Sequence, residues 1–244
     1  MFRHHGKNRT FLHNLRLATL LSVVAGIVNI TGVLTLKTLT TNVTGHFAFF
    51  AEAFFQKNYA VALTFLVFTL FFLMGSFTSN FLAELVLPKK PQQAHLLPIL
   101  LEMLILIAVA FFGCAATIET VMGKVVAFAL LFAMGMQNSL VTKISQSTVR
   151  TTHLTGLFTD LGIELSQLFF YKKTEEVKKL RTNIYLRLSI ITFFFIGCVV
   201  GGIVFQYYQI KTLVLAAAIL LLALLYDYFR FQLIALKRKV INMH

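Results

Sequence analysis

Six long apolar runs constrain the fold of this chain more than any other feature of its sequence. They lie at approximately 17–36, 59–86, 97–115, 124–142, 187–206 and 211–229. Each run has close to the 20 or so residues that an α-helix needs to cross about 30 Å of hydrocarbon. Because 58% of the 244 residues are hydrophobic and only 13% are charged, one soluble core could not bury so much apolar surface. The sequence predicts an all-α polytopic membrane protein with six transmembrane helices.

A second feature is a motif that occurs twice. Residues 40–45 read Thr-Thr-Asn-Val-Thr-Gly, and residues 151–156 read Thr-Thr-His-Leu-Thr-Gly. Flanking landmarks also match: 26–29 with 135–138 upstream, and 71–75 with 193–197 downstream. Shared landmarks before, at and after the motif predict an internal duplication. The predicted organisation is a basic tail at 1–16, a three-helix repeat at 17–115, a second at 124–229, and a basic tail at 230–244.

Three spans per repeat have a topological consequence. The second half enters the membrane from the side opposite to the first, which makes the halves a 3+3 inverted repeat. The apolar pieces at 43–55 and 154–170 follow the repeated motif and are too short or too polar to be ordinary spans. We expect two short re-entrant helices that meet near the bilayer midplane, because such backbone is tolerated only inside protein or beside a water-filled cavity.

The basic residues favour this topology. With six spans and both termini in the cytoplasm, all of the 22 lysines and arginines except Lys37, Lys57, Lys124 and Lys211 lie on the cytoplasmic side, which is 18 of 22. Eight full spans would leave 16 of 22 inside. The positive-inside rule therefore favours six spans over eight. The stretch from Tyr171 to Arg187 is interpreted as a cytoplasmic loop, helical or not, that touches anionic lipid headgroups.

The repeated motif also predicts a binding site. Thr44 and Thr155 are good N-cap residues, and Gly45 and Gly156 allow the backbone to approach a ligand closely. The short helix that follows each motif would aim free amides and its positive dipole end at the cavity, which favours an anion or a carbonyl oxygen. The motif residues are therefore candidates for solute binding.

Amide side chains at matched positions are further candidates. Asn29, Gln137 and Asn138 would line a shared cavity and orient the solute, or else bond across helices and hold them together. Both interpretations remain open.

Titratable residues supply the candidates for proton coupling. Asp160 and Glu164 lie four apart on one helix face, near Glu52 of the other half if the short helices meet. The alternative is that they face water or serve the helix dipole. His46 and His153 flank the motifs and are candidates for proton coupling because histidine is the residue type most suited to it near neutral pH, or else they are hydrogen-bonded structural residues. Pairing with Lys89 and Lys90 accounts for two further acids, Glu84 and Glu102.

The sequence does not contain the signature motifs of several other classes of protein. The sequence contains no zinc-protease, nucleophile-elbow or P-loop motif, so we expect no enzyme, metal site or cofactor. Cys114 and Cys198 are interpreted as packing residues. The net charge of +13 is assigned to contact with lipid, because no nucleic-acid-binding module is present. A homo-oligomer is compatible with the apolar faces.

The paired motifs resemble a known family. Gly135-Met136-Gln137-Asn138 followed by Thr151-Thr152-His153-Leu154-Thr155-Gly156 is similar to the YoaK-like bacterial membrane proteins, also called DUF1275, and the likeness covers nearly the whole chain. The resemblance implies about six spans in a bacterial inner membrane and leaves the substrate open. With the inverted repeat, it leads to the hypothesis of a secondary transporter for a small polar or anionic solute. The alternatives are a channel on the same scaffold and a non-transporting scaffold or accessory protein.

Overall fold

The chain folds into helices joined by short connections. A computed structural model describes residues 10–113, 120–145 and 149–241, and every regular element within them is helical. The α-helices are α1 (Phe11–Leu36), α2 (Val43–Phe55), α3 (Tyr59–Val86), α4 (Leu96–Phe112), α5 (Val121–Ile144), α6 (Leu154–Gln167), α7 (Thr174–Tyr208) and α8 (Leu213–Ile241). Short 3₁₀ turns, Pro91–Gln93 and Gln209–Thr212, precede α4 and α8. The predicted all-α class is confirmed.

Several of these helices have the length and composition of membrane spans. Among the described residues, four apolar helical runs are long enough to cross a membrane: α1, α3, α5, and a run over Thr174–Phe229 that contains α7 and most of α8. Shorter apolar helices are α2 and α4. The 17 residues of α4 extend about 26 Å, and the predicted end of this run, with Cys114, lies outside the described residues. The membrane character predicted from the sequence is confirmed at this level.

Two pairs of long helices make the most extensive contacts, α1 with α7 and α3 with α5. Each pair is parallel. Along α1, Phe11 contacts Tyr185 and Ile30 contacts Gly201, so α1 and α7 run in the same direction. Along α3, Phe68 contacts Phe128 and Glu84 contacts Lys143. In both pairs a helix that precedes residue 113 is packed against a helix that follows residue 120.

The helix ends show that α1 and α5 run in opposite directions. Gly113, which follows α4, lies beside the beginnings of two helices: a methyl group there would be 2.8 Å from Ile210 Cδ1 and 3.2 Å from Val126 Cγ2. The end of α1 reaches the same face, because Leu34 and Thr35 line a cavity with the turn that precedes α8. Therefore α5 begins on the face where α1 ends.

The core lies around these two antiparallel helices. The most apolar windows of α1 and α5 are each 61% buried, against 22% for α3 and for the α7–α8 run. Leu21, Ile27, Leu130 and Met134 are fully buried. Large rings such as Phe77 are exposed on the outer helices. An apolar exterior of this kind is suited to lipid.

One predicted boundary differs from the structure. The stretch 171–187, expected as a loop that is helical or not, is helical from Thr174 onward, because α7 begins there rather than at the predicted start of the apolar run near Arg187. Glu175 and Glu176 lie in its first turn, where negative charge favours the helix dipole. At 35 residues α7 is roughly 50 Å long, so its first turns extend beyond the length of a hydrocarbon core.

Candidate functional site

The two Thr-Gly segments fold in the same way after α1 and α5. In the first, Thr41 Oγ1 donates a hydrogen bond to Asn29 Oδ1 at 3.0 Å. In the second, Thr152 Oγ1 donates to Asn138 Oδ1 at 3.1 Å. These matched bonds tie each extended segment back onto the helix before it. The two segments therefore share a local geometry, which agrees with the predicted duplication.

The helix caps differ from the prediction. The N-cap of α2 is Asn42, whose side-chain oxygen accepts a bond from the Gly45 amide at 3.0 Å. The N-cap of α6 is His153, which makes no side-chain capping bond. Thr44 and Thr155 are the second residues of their helices, and both are exposed. The prediction that these two threonines cap the helices is wrong.

The missing cap leaves a donor open in the second half. Within the described part of the chain, the Gly156 amide has no hydrogen-bond acceptor, whereas the Leu157 amide donates to His153 O at 3.1 Å. A side chain at Gly156 would overlap the His153 ring. The first turn of α6 therefore presents a free N–H group beside an imidazole.

The short helices pack against their sequence neighbours rather than against each other. α2 packs on α3, and α6 packs on α7. In the described residues α2 and α6 share no extensive contact. Glu52 is exposed, with Gln56 Nε2 at 3.4 Å from its carboxylate. The expected proximity of Glu52 to Asp160 and Glu164 is therefore wrong.

Both acids of α6 instead bind one arginine of α7. Arg187 Nε lies 2.8 Å from Glu164 Oε2, and Arg187 Nη2 lies 3.1 Å from Glu164 Oε1. Arg187 Nη1 lies 2.8 Å from Asp160 Oδ2. The side chains of Arg187, Glu164 and Asp160 are 22%, 10% and 50% exposed, respectively. Arg187 thus has one partner withdrawn from solvent and one at its edge.

A polar cavity of about 380 Å³ opens beside this arginine. Its polar lining consists of Arg150, His153, Gly156, Asp160, Asn183 and Arg187. Arg150 is exposed and has no ion-pair or hydrogen-bond partner within the described residues. Arg187 is already paired with Glu164 and Asp160, whereas Arg150 and the Gly156 amide face the cavity without an acceptor in the described residues, and these open donors favour an anion.

The corresponding place in the first half is closed by aromatic rings. His46 is buried, and its Nε2 donates to Leu39 O at 2.8 Å. Its ring lies 6.0 Å from that of Phe65 and 5.2 Å from that of Phe68. Phe49 and Phe65 are 5.3 Å apart by ring centroid. The rings occupy the space between α2 and α3.

In the first half the contact between the Phe49 and Phe65 rings lies where the Asp160–Arg187 ion pair lies in the second half. The motif offset of 111 relates Phe49 to Asp160, and the offset of 122 between the 71–75 and 193–197 landmarks relates Phe65 to Arg187. Phe49 contacts Phe65 as Asp160 contacts Arg187. The halves share a contact whose chemistry differs.

The remaining candidates hold the helices together. Gln137 Nε2 donates to Leu21 O at 2.6 Å, which joins α5 to α1, and its buried Oε1 has no partner in the described residues. Glu84 pairs with Lys143 at 2.8 Å rather than with Lys89 or Lys90, so that prediction is wrong. Glu102 is buried within α4, and the described residues show no ion pair between it and Lys89 or Lys90. No group of metal-ligating side chains occurs in the described residues.

Sequence reasoning missed Arg187 and Arg150 as site residues. The charge pattern predicts only that both lie on the cytoplasmic side. The available signal for Arg187 was its position directly before the apolar run at 188–206, where a charged residue needs a partner.

Comparison with protein families identifies the family of this chain. A family model described as "Protein of unknown function (DUF1275)" matches residues 17–226. No curated protein and no solved structure matches the chain. The matched region contains both Thr-Gly segments and the polar cavity.

Proposed function

The chain belongs to the DUF1275 family of proteins of unknown function, as its YoaK-like motifs predict, and we propose that it is a secondary transporter for a small anionic solute. One observation carries the proposal. The two halves hold their Thr-Gly segments by matched hydrogen bonds, yet one short helix is closed by rings and the other lies beside an open polar cavity. In alternating access a site is open to one side of the membrane while the other side is closed, and this arrangement has one open side and one closed side.

The arrangement of the helices supports an inverted repeat of three spans each. α1 and α5 are the first spans of the two halves and run in opposite directions. The strongest helix pairs, α1 with α7 and α3 with α5, exchange when the halves are exchanged. The halves are then related by a two-fold axis in the membrane plane, with α4 and α8 as the third span of each.

The lengths of the short helices support a re-entrant position. α2 and α6 have 13 and 14 residues, which is about 20 Å of helix and less than the 30 Å of a hydrocarbon core. We propose that α2 dips in from the outer face and α6 from the cytoplasmic face.

Charge sets the proposed orientation in a bacterial inner membrane. The basic beginning of α7 lies on the same face as the open cavity, and Lys172, Lys178 and Arg181 line a groove there beside Phe11. The positive-inside rule puts this face in the cytoplasm, next to anionic headgroups. The cavity of the second half is then open to the cytoplasm, and the aromatic cluster closes the outer side.

A carrier and a channel on this scaffold differ in their response to solute on the far side. We expect proteoliposomes loaded with unlabelled phosphate to take up labelled phosphate at least about tenfold faster than empty ones, because a loaded carrier returns with its site occupied. Tracer counterflow measures this directly. Equal uptake into loaded and empty vesicles would identify a channel, and no uptake of phosphate or of small carboxylates would support a scaffold.

Two glycines of α6 provide matched variants for this assay. Gly156→Ala should lower counterflow by about tenfold or more, because the methyl group displaces the His153 ring into the cavity. Gly162→Ala adds a methyl group where no atom lies within 4 Å, and should retain normal counterflow. Equal behaviour of the two variants would contradict a site at the first turn of α6.

A further inference from the structure

We infer that the cavity beside α6 is a binding site for one small oxyanion, a carboxylate or a phosphate, which replaces Asp160 on the guanidinium of Arg187. Asp160 is then an internal substitute for the ligand. The inference rests on the proposed function only for its role in transport. Binding itself depends on the geometry of four groups: Arg187, Asp160, Arg150 and the Gly156 amide.

The geometry of Arg187 separates a fixed partner from an exchangeable one. Glu164 accepts hydrogen bonds from two guanidinium nitrogens in a bidentate pair and is 10% exposed, so it fixes the orientation of the planar guanidinium group. Asp160 uses only Nη1 and is 50% exposed. An ion pair at such an exposed position contributes little free energy. An incoming oxyanion therefore competes with Asp160 and leaves Glu164 in place.

Two further donors face the same space. Arg150 lines the cavity and has no acceptor among the described residues. The Gly156 amide is uncapped because His153 makes no side-chain bond. An oxyanion on Arg187 Nη1 would thus gain a second guanidinium and the positive end of a 14-residue helix. Asp160 alone leaves these donors unused.

The chemistry and the size of the cavity define the class of ligand. Planar guanidinium groups match carboxylate and phosphate oxygens. A volume of about 380 Å³ is at the small end of ligand sites. The groups left without a partner in the described residues, Arg150 and the Gly156 amide, are donors, which disfavours a cation. The ligand is a compact anion.

The first half lacks every one of these donors. By the same offsets, Leu39 replaces Arg150, Asn42 replaces His153, and Phe65 replaces Arg187. Asn42 also occupies the Gly45 amide. The duplication therefore retains one anion site, and we expect one phosphate per chain.

The test measures phosphate binding by the full-length protein in neutral detergent. Isothermal calorimetry at constant ionic strength gives the dissociation constant for inorganic phosphate. We expect Asp160→Asn to bind phosphate about fivefold more tightly, because an exposed ion pair no longer competes. Arg187→Gln is expected to abolish binding, and Arg150→Gln to weaken it by about tenfold.

The control changes the net charge equally without touching the cavity. Glu176→Gln, in the first turn of α7, removes one negative charge from an exposed residue that lies 3.8 Å from Lys173. It should leave the phosphate affinity within about twofold. If Asp160→Asn does not tighten binding, or tightens it no more than Glu176→Gln, the inference is overturned.

The source of the oxyanion is distinguished in lipid nanodiscs. With phosphatidylcholine alone, phosphate should bind as it does in detergent. With phosphatidylglycerol, retained phosphate binding identifies a soluble ligand, and lost binding identifies a lipid headgroup in the same site. Failure of phosphate to bind wild-type protein under all these conditions would overturn the site itself.

Binding and transport fail separately. Phosphate binding that Asp160→Asn tightens, without counterflow of any small anion, would retain the site and exclude the transporter. Counterflow that is unchanged in Asp160→Asn and Arg187→Gln would retain the transporter and exclude this site.

Discussion

Arg187→Gln is expected to lower the free energy of unfolding by about 3 kcal/mol or more. Removing one partner of a buried ion pair leaves the other charge uncompensated. Glu164 is that charge, with 10% of its side chain exposed and both oxygens bonded to Arg187. Thermal or denaturant unfolding of the purified protein in detergent measures the loss.

A double variant separates the loss of the pair from the loss of the arginine. Arg187→Gln/Glu164→Gln has no buried charge at this contact and should regain more than half of the lost stability. Asp160→Asn, at the half-exposed end of the same network, should change stability by about 1 kcal/mol or less. A double variant no more stable than Arg187→Gln would show that the pair does not hold α6 on α7.

The second large effect is expected at the helix crossings. A methyl group at Gly26 would overlap Phe194 O, and one at Gly135 would overlap Phe72 O. Both atoms belong to the backbone of a neighbouring helix and cannot rotate away. We expect Gly26→Ala and Gly135→Ala each to cost about 3 kcal/mol, because the helices must separate. Thermal unfolding in detergent measures both.

Gly202 provides the control for these substitutions. It lies in α7 near the same crossing, but a methyl group there would be 3.7 Å from Ile30 Cγ1, an ordinary contact. Gly202→Ala should be neutral or slightly stabilising, since alanine favours a helix over glycine by about 1 kcal/mol. If Gly26→Ala and Gly202→Ala have similar effects, the close packing of α1 on α7 is not a determinant of stability.

Helix positions could be predicted well because apolar length and local motifs determine them. The bounds 43–55 and 59–86 agree with α2 and α3. The membrane class follows from the same apolar runs. The six-span count and the inverted repeat remain proposals, which the opposite directions of α1 and α5 support.

The caps were assigned to the wrong residues for a local reason. Thr-Gly was treated as the beginning of each short helix, although Asn42 stands three residues before Gly45 and asparagine is a strong N-cap. The side chain three residues upstream decides which amide is satisfied. In the second half that residue is His153, so the same motif leaves its amide open.

Contacts between helices could not be predicted from the periodicity of apolar residues in the sequence. The Arg187–Glu164 pair joins residues 23 apart in two helices, and no local pattern predicts that pairing. The short helices were expected to meet, but only three residues, 56–58, connect α2 to α3. Such a short connection holds α2 against the helix that follows it.

The most direct test of the inverted relation of the halves is to determine on which side of the membrane the residues that follow α2 and α6 lie. Gln56 follows α2, Lys172 follows α6, and both are exposed. Single cysteines at these positions, in a Cys114→Ser/Cys198→Ser background, are labelled with an impermeant thiol reagent in right-side-out and inside-out vesicles. The account predicts that Gln56→Cys reacts from outside and Lys172→Cys from the cytoplasm. Labelling of both from the same side would contradict inverted halves and the alternating access built on them.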